Sequence, residues 1–127
     1  MSFSCLKDGK KIYSFQYTPA QWLELRAQRS QLDLEMPCCG VPAILKTSSL
    51  GTQFFAHKSK QDQNCHASDG ESAEHIFAKY LVSKALYEEK WQVETEKRGQ
   101  TEDGKGWIAD IYANRADISK GIVVEVQ

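Results

Sequence analysis

The sequence predicts an α/β fold in which one helix and a three-stranded sheet form a core that follows a small hairpin. The helix is expected from Ser72 to about Tyr87. Three apolar segments after it are predicted to be strands, because segments rich in turn-forming residues separate them. Their sequences are WQVETEKR, WIADIYA and GIVVEVQ. Before the helix, VPAIL and QFFAH flank the turn SSLG, a pattern typical of a hairpin.

Residues 1–36 are predicted to be a structural lead-in. The segment from Lys10 to Tyr17 alternates like a short strand. Thr18 and Pro19 are residue types that begin a helix, Thr as the N-cap and Pro at the first helical position. This helix is expected to run to Ser30. Its candidates for burial are Trp22 and Leu25, with Leu23 as a third.

The composition limits the class of protein. A chain of 127 residues has room for one ordinary domain, or for a small module attached to one. Hydrophobic residues make up 41% and charged residues 26%, which argues against wholesale disorder. Sixteen Lys and Arg nearly balance seventeen Asp and Glu. The overall charge therefore does not indicate a nucleic-acid binder, although it leaves room for a local basic groove.

The cellular compartment is predicted from two absences in the sequence. The first residues, MSFSCLKDGKK, become polar before an apolar core of useful length develops, so no signal peptide is expected. No apolar run approaches the length of a bilayer span, so no membrane partner is expected. The prediction is a cytoplasmic protein. In that compartment four cysteines more often act as metal ligands or buried thiols than as disulfides.

Five potential zinc ligands fall within thirty residues of the predicted hairpin: Cys38, Cys39, His57, Cys65 and His66. Zinc takes about four such ligands in a tetrahedral arrangement, and a hairpin brings its two ends together. The side chains of neighbouring residues usually diverge, so the expected ligands include either one or both of the adjacent cysteines. His57 and Cys65 complete the set, and His66 is an additional candidate. The alternative is a set of ordinary buried thiols and a surface histidine. Cys5 stands apart and is expected to be structural.

The helix carries polar residues at the start of stripes that otherwise favour burial. Glu74 lies three, four, seven and eleven residues before Phe77, Ala78, Leu81 and Ala85. His75 is related in the same way to Ala78, Lys79, Val82 and Leu86. Burying an unpaired carboxylate costs several kcal/mol unless a partner or a metal compensates. Two interpretations follow: Glu74 interacts with the helix dipole at the surface, or it belongs to a functional site.

Two carboxylates lie on strands that are expected to be neighbours. Asp110 is in line with Ile108 and Tyr112, and Glu125 is in line with Val123 and Gln127. Mg²⁺ prefers oxygen ligands and keeps several waters when one or two carboxylates hold it. Gln127 is expected to orient a metal-bound water or a phosphate. The alternative is a pair of solvent-facing acids at the edges of a sheet.

The order of these features resembles the PD-(D/E)XK nuclease superfamily, and with the preceding segment it resembles the CoiA-like competence protein family. That order is a helix with an acid, a strand, a strand with Asp, and a strand with Glu-x-Gln. The resemblance covers about residues 37–127. The matching features are CCGVPAIL, FFAH, Cys65, ESAEH with Lys79, WIADIYA and VVEVQ.

The resemblance implies a zinc-finger-like hairpin module at residues 37–68 and a truncated restriction-endonuclease-like core at residues 69–127. Structural Zn²⁺ would be held by Cys38, Cys39, His57 and Cys65, and Mg²⁺ or Mn²⁺ by Asp110 and Glu125. Gln127 stands where most of the superfamily has lysine. The helix would contribute Glu74, His75 and Lys79 to the site. The implied function is a metal-dependent deoxyribonuclease that hydrolyses phosphodiester bonds during DNA uptake or recombination in bacteria.

Members of this family continue beyond the Glu-x-Gln strand with a further helix and strand. The core is therefore expected to be incomplete at Gln127. Three explanations are open: a fragment of a longer protein, a shortened relative, or a half that a second copy in a homodimer or another partner completes. The alternative function is a zinc-containing DNA-binding or regulatory protein that has a degenerate nuclease fold and does not cleave. The near-neutral charge and the early end favour this alternative. A zinc-only structural module without DNA contact is a third possibility.

Overall fold

The structure is a computed structural model that describes residues 2–58, 71–117 and 121–126, without the side chains of 96–98. It shows mixed α and β structure, with small antiparallel sheets. The chain divides into two compact units, Met1–Ser72 and Ala73–Gln127, which we call unit 1 and unit 2. No helix in the described ranges is long and apolar enough to cross a membrane.

Unit 1 contains one α-helix and two small antiparallel sheets within its described residues. Strands β1, β2 and β3 form a sheet in the order β2-β1-β3, and β4 pairs with β5. Two short 3-10 helices connect these elements. The elements are β1 (Ser4–Lys7), β2 (Lys10–Tyr13), α1 (Pro19–Ala27), β3 (Leu34–Glu35), β4 (Ala43–Thr47) and β5 (Gln53–His57).

The predicted first strand is shorter than its alternation indicates. Strand β2 ends at Tyr13, and a 3-10 helix covers Ser14–Gln16. The reason is a side chain: the Tyr13 backbone N–H donates to Gln16 Oε1 at 3.1 Å, which turns the chain out of the sheet. Gln53 then holds this turn, because its amide donates to the carbonyl oxygens of Ser14 and Tyr17, each at 3.0 Å.

Helix α1 begins as predicted. The Gln21 N–H donates to Thr18 Oγ1 at 3.2 Å, and Pro19 occupies the first helical position. The helix ends at Ala27 rather than Ser30, because the chain continues as a 3-10 turn at Arg29–Gln31. Leu23 is 63% exposed, so its predicted burial is wrong.

The core of unit 1 joins the predicted lead-in to the predicted hairpin module. Trp22 from α1 packs against Phe55 from β5 in an edge-to-face arrangement, with ring centroids 5.0 Å apart. Because both segments fill one core, the hairpin is anchored by residues far from it in sequence. The division into segments 1–36, 37–68 and 69–127 stays a prediction. The buried cluster consists of Cys5, Trp22, Leu25, Leu34, Met36, Ala43, Leu45 and Phe55.

Unit 2 has the predicted helix followed by three strands. The sheet order is β6-β7-β8, and both pairings are antiparallel. Helix α2 packs against β6 and β7. The predicted order of elements is confirmed, whereas the restriction-endonuclease-like fold stays a prediction. The elements are α2 (Ala73–Glu88), β6 (Gln92–Gln100), β7 (Gly106–Asn114) and β8 (Ile122–Val124).

Helix α2 buries a different stripe from the one predicted through Glu74. Lys79, Tyr80 and Ser83 are buried. Glu74 and the end of its stripe are exposed, with Leu81 at 47%. Periodicity defines which residues share a helix face, but the sheet decides which face it covers. The exposure of Glu74 agrees with the interpretation in which it interacts with the helix dipole at the surface. A role of Glu74 in a functional site stays a prediction.

Candidate functional site

Cys38 and Cys39 lie in a tight turn between β3 and β4. The Met36 N–H donates to the Val41 carbonyl at 2.8 Å, and the Gly40 N–H donates back to the Met36 carbonyl at 2.8 Å. Gly40 has a φ of +74°, a left-handed conformation that glycine adopts without steric cost. These bonds close a compact turn whose tip carries the two cysteines.

The hairpin places a histidine beside this turn. His57 is the last residue of β5 and lies opposite Ala43, the first residue of β4. The Lys58 N–H donates to the Pro42 carbonyl at 3.1 Å, which keeps the end of β5 against the chain that leaves the turn. Pairing between β4 and β5 thus brings His57 to residues that precede it by nearly twenty positions.

The three side chains meet with spacings that suit a metal ion. Cys38 Sγ lies 3.7 Å from Cys39 Sγ and 3.3 Å from His57 Nε2. All three ligand atoms lie within 4.8 Å of one another. In tetrahedral zinc with Zn–S bonds of about 2.3 Å, two sulfurs are about 3.8 Å apart. The two adjacent thiols therefore do not diverge, and both stand where one ion could bind them.

The chemistry of this Cys-Cys-His cluster, defined as Cys38, Cys39 and His57, matches zinc better than magnesium. Two thiolates and an imidazole are soft or borderline ligands. The cysteines are exposed and the histidine is half-buried, so an ion has access. The predicted ligand Cys65 and the reserve ligand His66 lie outside the described residues, so a fourth ligand stays a prediction.

Cys5 is not part of this cluster. It is fully buried in the core of unit 1. Burial raises the pKa of its thiol to about 12, while the nearby positive charge of Lys7 lowers that pKa in part. Because the thiolate is the form that binds metal, Cys5 is unsuited to be a ligand at neutral pH. Its position agrees with the expected structural role.

The strand pairing of unit 2 brings Asp110 and Glu125 side by side. Ile111 pairs with Val124 in the β7–β8 register, so the next positions are Asp110 and Glu125. The Val126 N–H donates to Asp110 Oδ2 at 3.0 Å. This bond keeps the chain after β8 against β7 and orients the Asp110 carboxylate.

These two acids lie on the less buried face of the sheet. Asp110 alternates with buried Ala109 and Ile111, so its side chain points to the other face, where it is half-buried. Glu125 is exposed. The same face carries Ile108, which is exposed. The carboxylate oxygens of Asp110 and Glu125 are therefore accessible to water and to a divalent ion.

The three helix residues that were predicted to assist Asp110 differ in their exposure. Glu74 is exposed, His75 is half-buried and Lys79 is only 2% exposed. In the described part of the chain, the Cys-Cys-His cluster is the one group of three or more Cys, His, Asp and Glu ligands at metal-binding distances. The role of Glu74 and His75 stays a prediction, and Gln127 lies outside the described residues.

Sequence reasoning missed one further carboxylate on this face. Glu94 of β6 pairs with Tyr112 of β7, and directly paired residues share a face. Tyr112 is two residues from Asp110, so Glu94 and Asp110 lie on the same side of the sheet. Glu94 is half-buried. The alternation within VETE was the signal that could have indicated it.

Comparison with known proteins identified no similar protein. The chain has no significant match among protein-family models, curated proteins or solved structures. The geometry of the Cys-Cys-His cluster and of the Asp110–Glu125 pair is therefore the basis for assigning a function.

Proposed function

We propose that this protein is a divalent-metal-dependent deoxyribonuclease whose metal-binding acids are Asp110 and Glu125. The observation that carries the proposal is their placement at neighbouring positions of β7 and the chain that follows β8. The order of helix, strand, Asp strand and Glu-x-Gln strand supports a restriction-endonuclease-like core. The resemblance to the CoiA-like family supports DNA as the substrate and a role in DNA uptake or recombination.

The residues of this chain would act by binding and orienting. Asp110 and Glu125 supply carboxylate oxygens, which are the ligands that Mg²⁺ and Mn²⁺ prefer. A bound divalent ion lowers the pKa of a coordinated water and offsets negative charge on a phosphodiester. The bond from Val126 limits the rotation of Asp110, as partners of metal ligands commonly do. Gln127 would orient water or phosphate by hydrogen bonds, as its sequence position predicts.

The Cys-Cys-His cluster would hold structural Zn²⁺ in unit 1, with Cys65 as the predicted fourth ligand. Its residues fit zinc in ligand type and in the 3.7 Å separation of the two sulfurs. Zinc there would tie the turn at Cys38 and Cys39 to the end of β5. A short hairpin gains stability from such a tie, because the folded ligands bind the ion and the unfolded chain does not.

A second candidate is a zinc-containing DNA-binding or regulatory protein that does not cleave. One observation favours it: within the ranges that the structure describes, three clustered ligands occur at the cysteine site and not around Asp110. The near balance of sixteen basic and seventeen acidic residues points the same way. This protein would bind DNA with an affinity that falls with salt, and would leave phosphodiester bonds intact.

The deciding experiment incubates the chain with linear and circular DNA in Mg²⁺, Mn²⁺ or EDTA. Asp110→Asn and Glu125→Gln are compared with the wild type, and Glu102→Gln is the matched control because Glu102 is an exposed acid outside the pair. We expect cleavage that needs the divalent ion. Each site variant should lower it by at least about 100-fold, the upper end of the cost of losing an outer-shell partner.

Two results would contradict the nuclease proposal. Full cleavage by Asp110→Asn would exclude the proposed metal site. DNA binding without cleavage in either ion would support the second candidate. Circular dichroism of each variant separates a lost site from a lost fold.

A further inference from the structure

We propose that Cys38 and Cys39 are a reversible oxidation site, at which a hydroperoxide converts the two thiols into a disulfide between adjacent residues. Formation of this disulfide would release metal from the Cys-Cys-His cluster. The release rests on the proposed zinc site, whereas the oxidation itself depends on the two thiols and on neither the zinc nor the nuclease proposal.

The first support is the access and the closeness of the two sulfurs. Cys38 and Cys39 are both exposed, and their sulfurs are 3.7 Å apart. A disulfide bond is about 2.05 Å long, so the two sulfurs must approach each other by about 1.6 Å to form one. Cys5 offers the contrast within the same unit, because its complete burial shields it from an oxidant in water.

The second support is the strain that such a bond must carry. Consecutive Cα atoms across a trans peptide are about 3.8 Å apart, whereas disulfides usually join Cα atoms about 4.4–6.8 Å apart. A disulfide between neighbours is therefore strained, and strained disulfides are reduced more readily. The site is suited to a transient state that a thiol reductant reverses rather than to a permanent cross-link.

The chemistry balances with hydrogen peroxide as the oxidant. One thiolate attacks a peroxide oxygen, the O–O bond breaks, and a sulfenic acid forms with loss of one water after protonation. The second thiol attacks that sulfur, the S–S bond forms, and a second water leaves. Two thiols thus lose two electrons and two protons, and one hydrogen peroxide becomes two waters.

Metal release follows from the loss of both sulfur ligands. The thiolate is the form of cysteine that binds zinc, and a disulfide no longer supplies it. Of the Cys-Cys-His cluster only the imidazole of His57 would then remain. Zinc occupancy should fall in step with disulfide formation and recover after reduction in the presence of zinc.

The test treats the reduced, zinc-loaded full chain with hydrogen peroxide, then denatures it and labels the remaining thiols with N-ethylmaleimide. Labelled cysteines should fall from four to two per chain. The peptide that contains Cys38 and Cys39 should carry no label and weigh two hydrogens less. Dithiothreitol should restore both labels. A colorimetric chelator measures released zinc in the same samples.

Three variants separate this site from its alternatives. Cys38→Ser and Cys39→Ser each keep one thiol of the pair and should not form the bond. His57→Gln keeps both thiols and should still form it, at a rate equal to or above that of the wild type, because less metal protects the sulfurs.

The proposal is overturned if both labels persist on the wild type. It is also overturned if the label is lost through a bond to Cys5, to Cys65 or to a second chain, which peptide mapping identifies. These outcomes leave the cleavage assay unaffected, so failure here is distinguishable from failure of the proposed nuclease.

Discussion

At the scale of single residues, burial gives identical thiols different chemistry. Cys5 lies in the core of unit 1, and burial raises the pKa of its thiol to about 12. Cys38 and Cys39 are exposed at a turn beside His57. The same side chain is therefore an inert apolar group at one position and a candidate metal ligand at the other two.

The raised pKa of Cys5 predicts a loss of stability at alkaline pH. The folded chain keeps the neutral thiol up to about pH 12, whereas the unfolded chain ionises it near pH 9. The neutral thiol therefore makes its full contribution to the free energy of unfolding below pH 9. This contribution is lost as the pH rises towards 12, by at most about 1.4 kcal/mol per pH unit.

Urea denaturation of the wild type and Cys5→Ala, from neutral pH to above pH 9, measures this effect. The variant should be less stable at neutral pH because it leaves a cavity. The difference in free energy of unfolding between the two chains should shrink as the pH rises. A difference that stays constant across this range would refute the prediction.

At the scale of elements, the β6–β7 hairpin depends on a glycine that lies under an aromatic ring. Gly99 pairs with Trp107, and the Trp107 ring lies across the Gly99 backbone. A Cβ atom added at Gly99 would overlap that ring. Packing of an aromatic ring over a cross-strand glycine is a known way to stabilise a sheet.

We expect Gly99→Ala to destabilise unit 2 by about 1–3 kcal/mol, the usual cost of overpacking. Gly106→Ala is the matched control, since a Cβ there meets no atom within 4 Å. It should change stability by less than about 0.5 kcal/mol. Thermal denaturation followed by circular dichroism compares the variants, and equal melting temperatures would disprove the role of the ring.

The β4–β5 hairpin should gain stability from zinc. If the Cys-Cys-His cluster binds the ion only in the folded chain, zinc at 100 times its dissociation constant should add about 2.7 kcal/mol. Differential scanning calorimetry with zinc and with a chelator measures the shift. His57→Gln should abolish it, whereas His75→Gln, outside the cluster, should keep it. A shift that survives His57→Gln would show that zinc binds elsewhere.

At the scale of the whole molecule, the near-neutral charge would make a bound divalent ion important for the proposed binding of DNA. The net charge is −1, so long-range attraction to phosphates is weak. Asp110 and Glu125 add local negative charge on the proposed substrate face. A divalent ion on this pair would convert local repulsion into attraction.

We therefore expect Ca²⁺, which prefers oxygen ligands, to strengthen DNA binding relative to EDTA. In EDTA, Asp110→Asn should bind DNA more tightly than the wild type, because the substitution removes one negative charge that repels phosphate. Fluorescence anisotropy with a labelled oligonucleotide measures both. The proposed substrate face would be excluded if Asp110→Asn bound more weakly than the wild type in EDTA and Ca²⁺ had no effect.

The sequence by itself determined most of the elements. Thr18 and Pro19 begin a helix through their own side chains, and SSLG connects two strands that the flanking apolar stretches predict. The candidate metal ligands and the strand acids were also predicted from residue type and spacing. These features depend on interactions between residues close in the chain, which local patterns contain.

Tertiary structure decided which of these residues meet. The turn at Gly40 and the β4–β5 pairing bring both adjacent thiols to His57, although neighbouring side chains usually diverge. Strand register puts Asp110 beside Glu125, whereas the sheet covers a stripe of α2 other than the one through Glu74. Periodicity gives the members of a face, but contacts between residues distant in sequence select the face that is buried and the side chains that share a site.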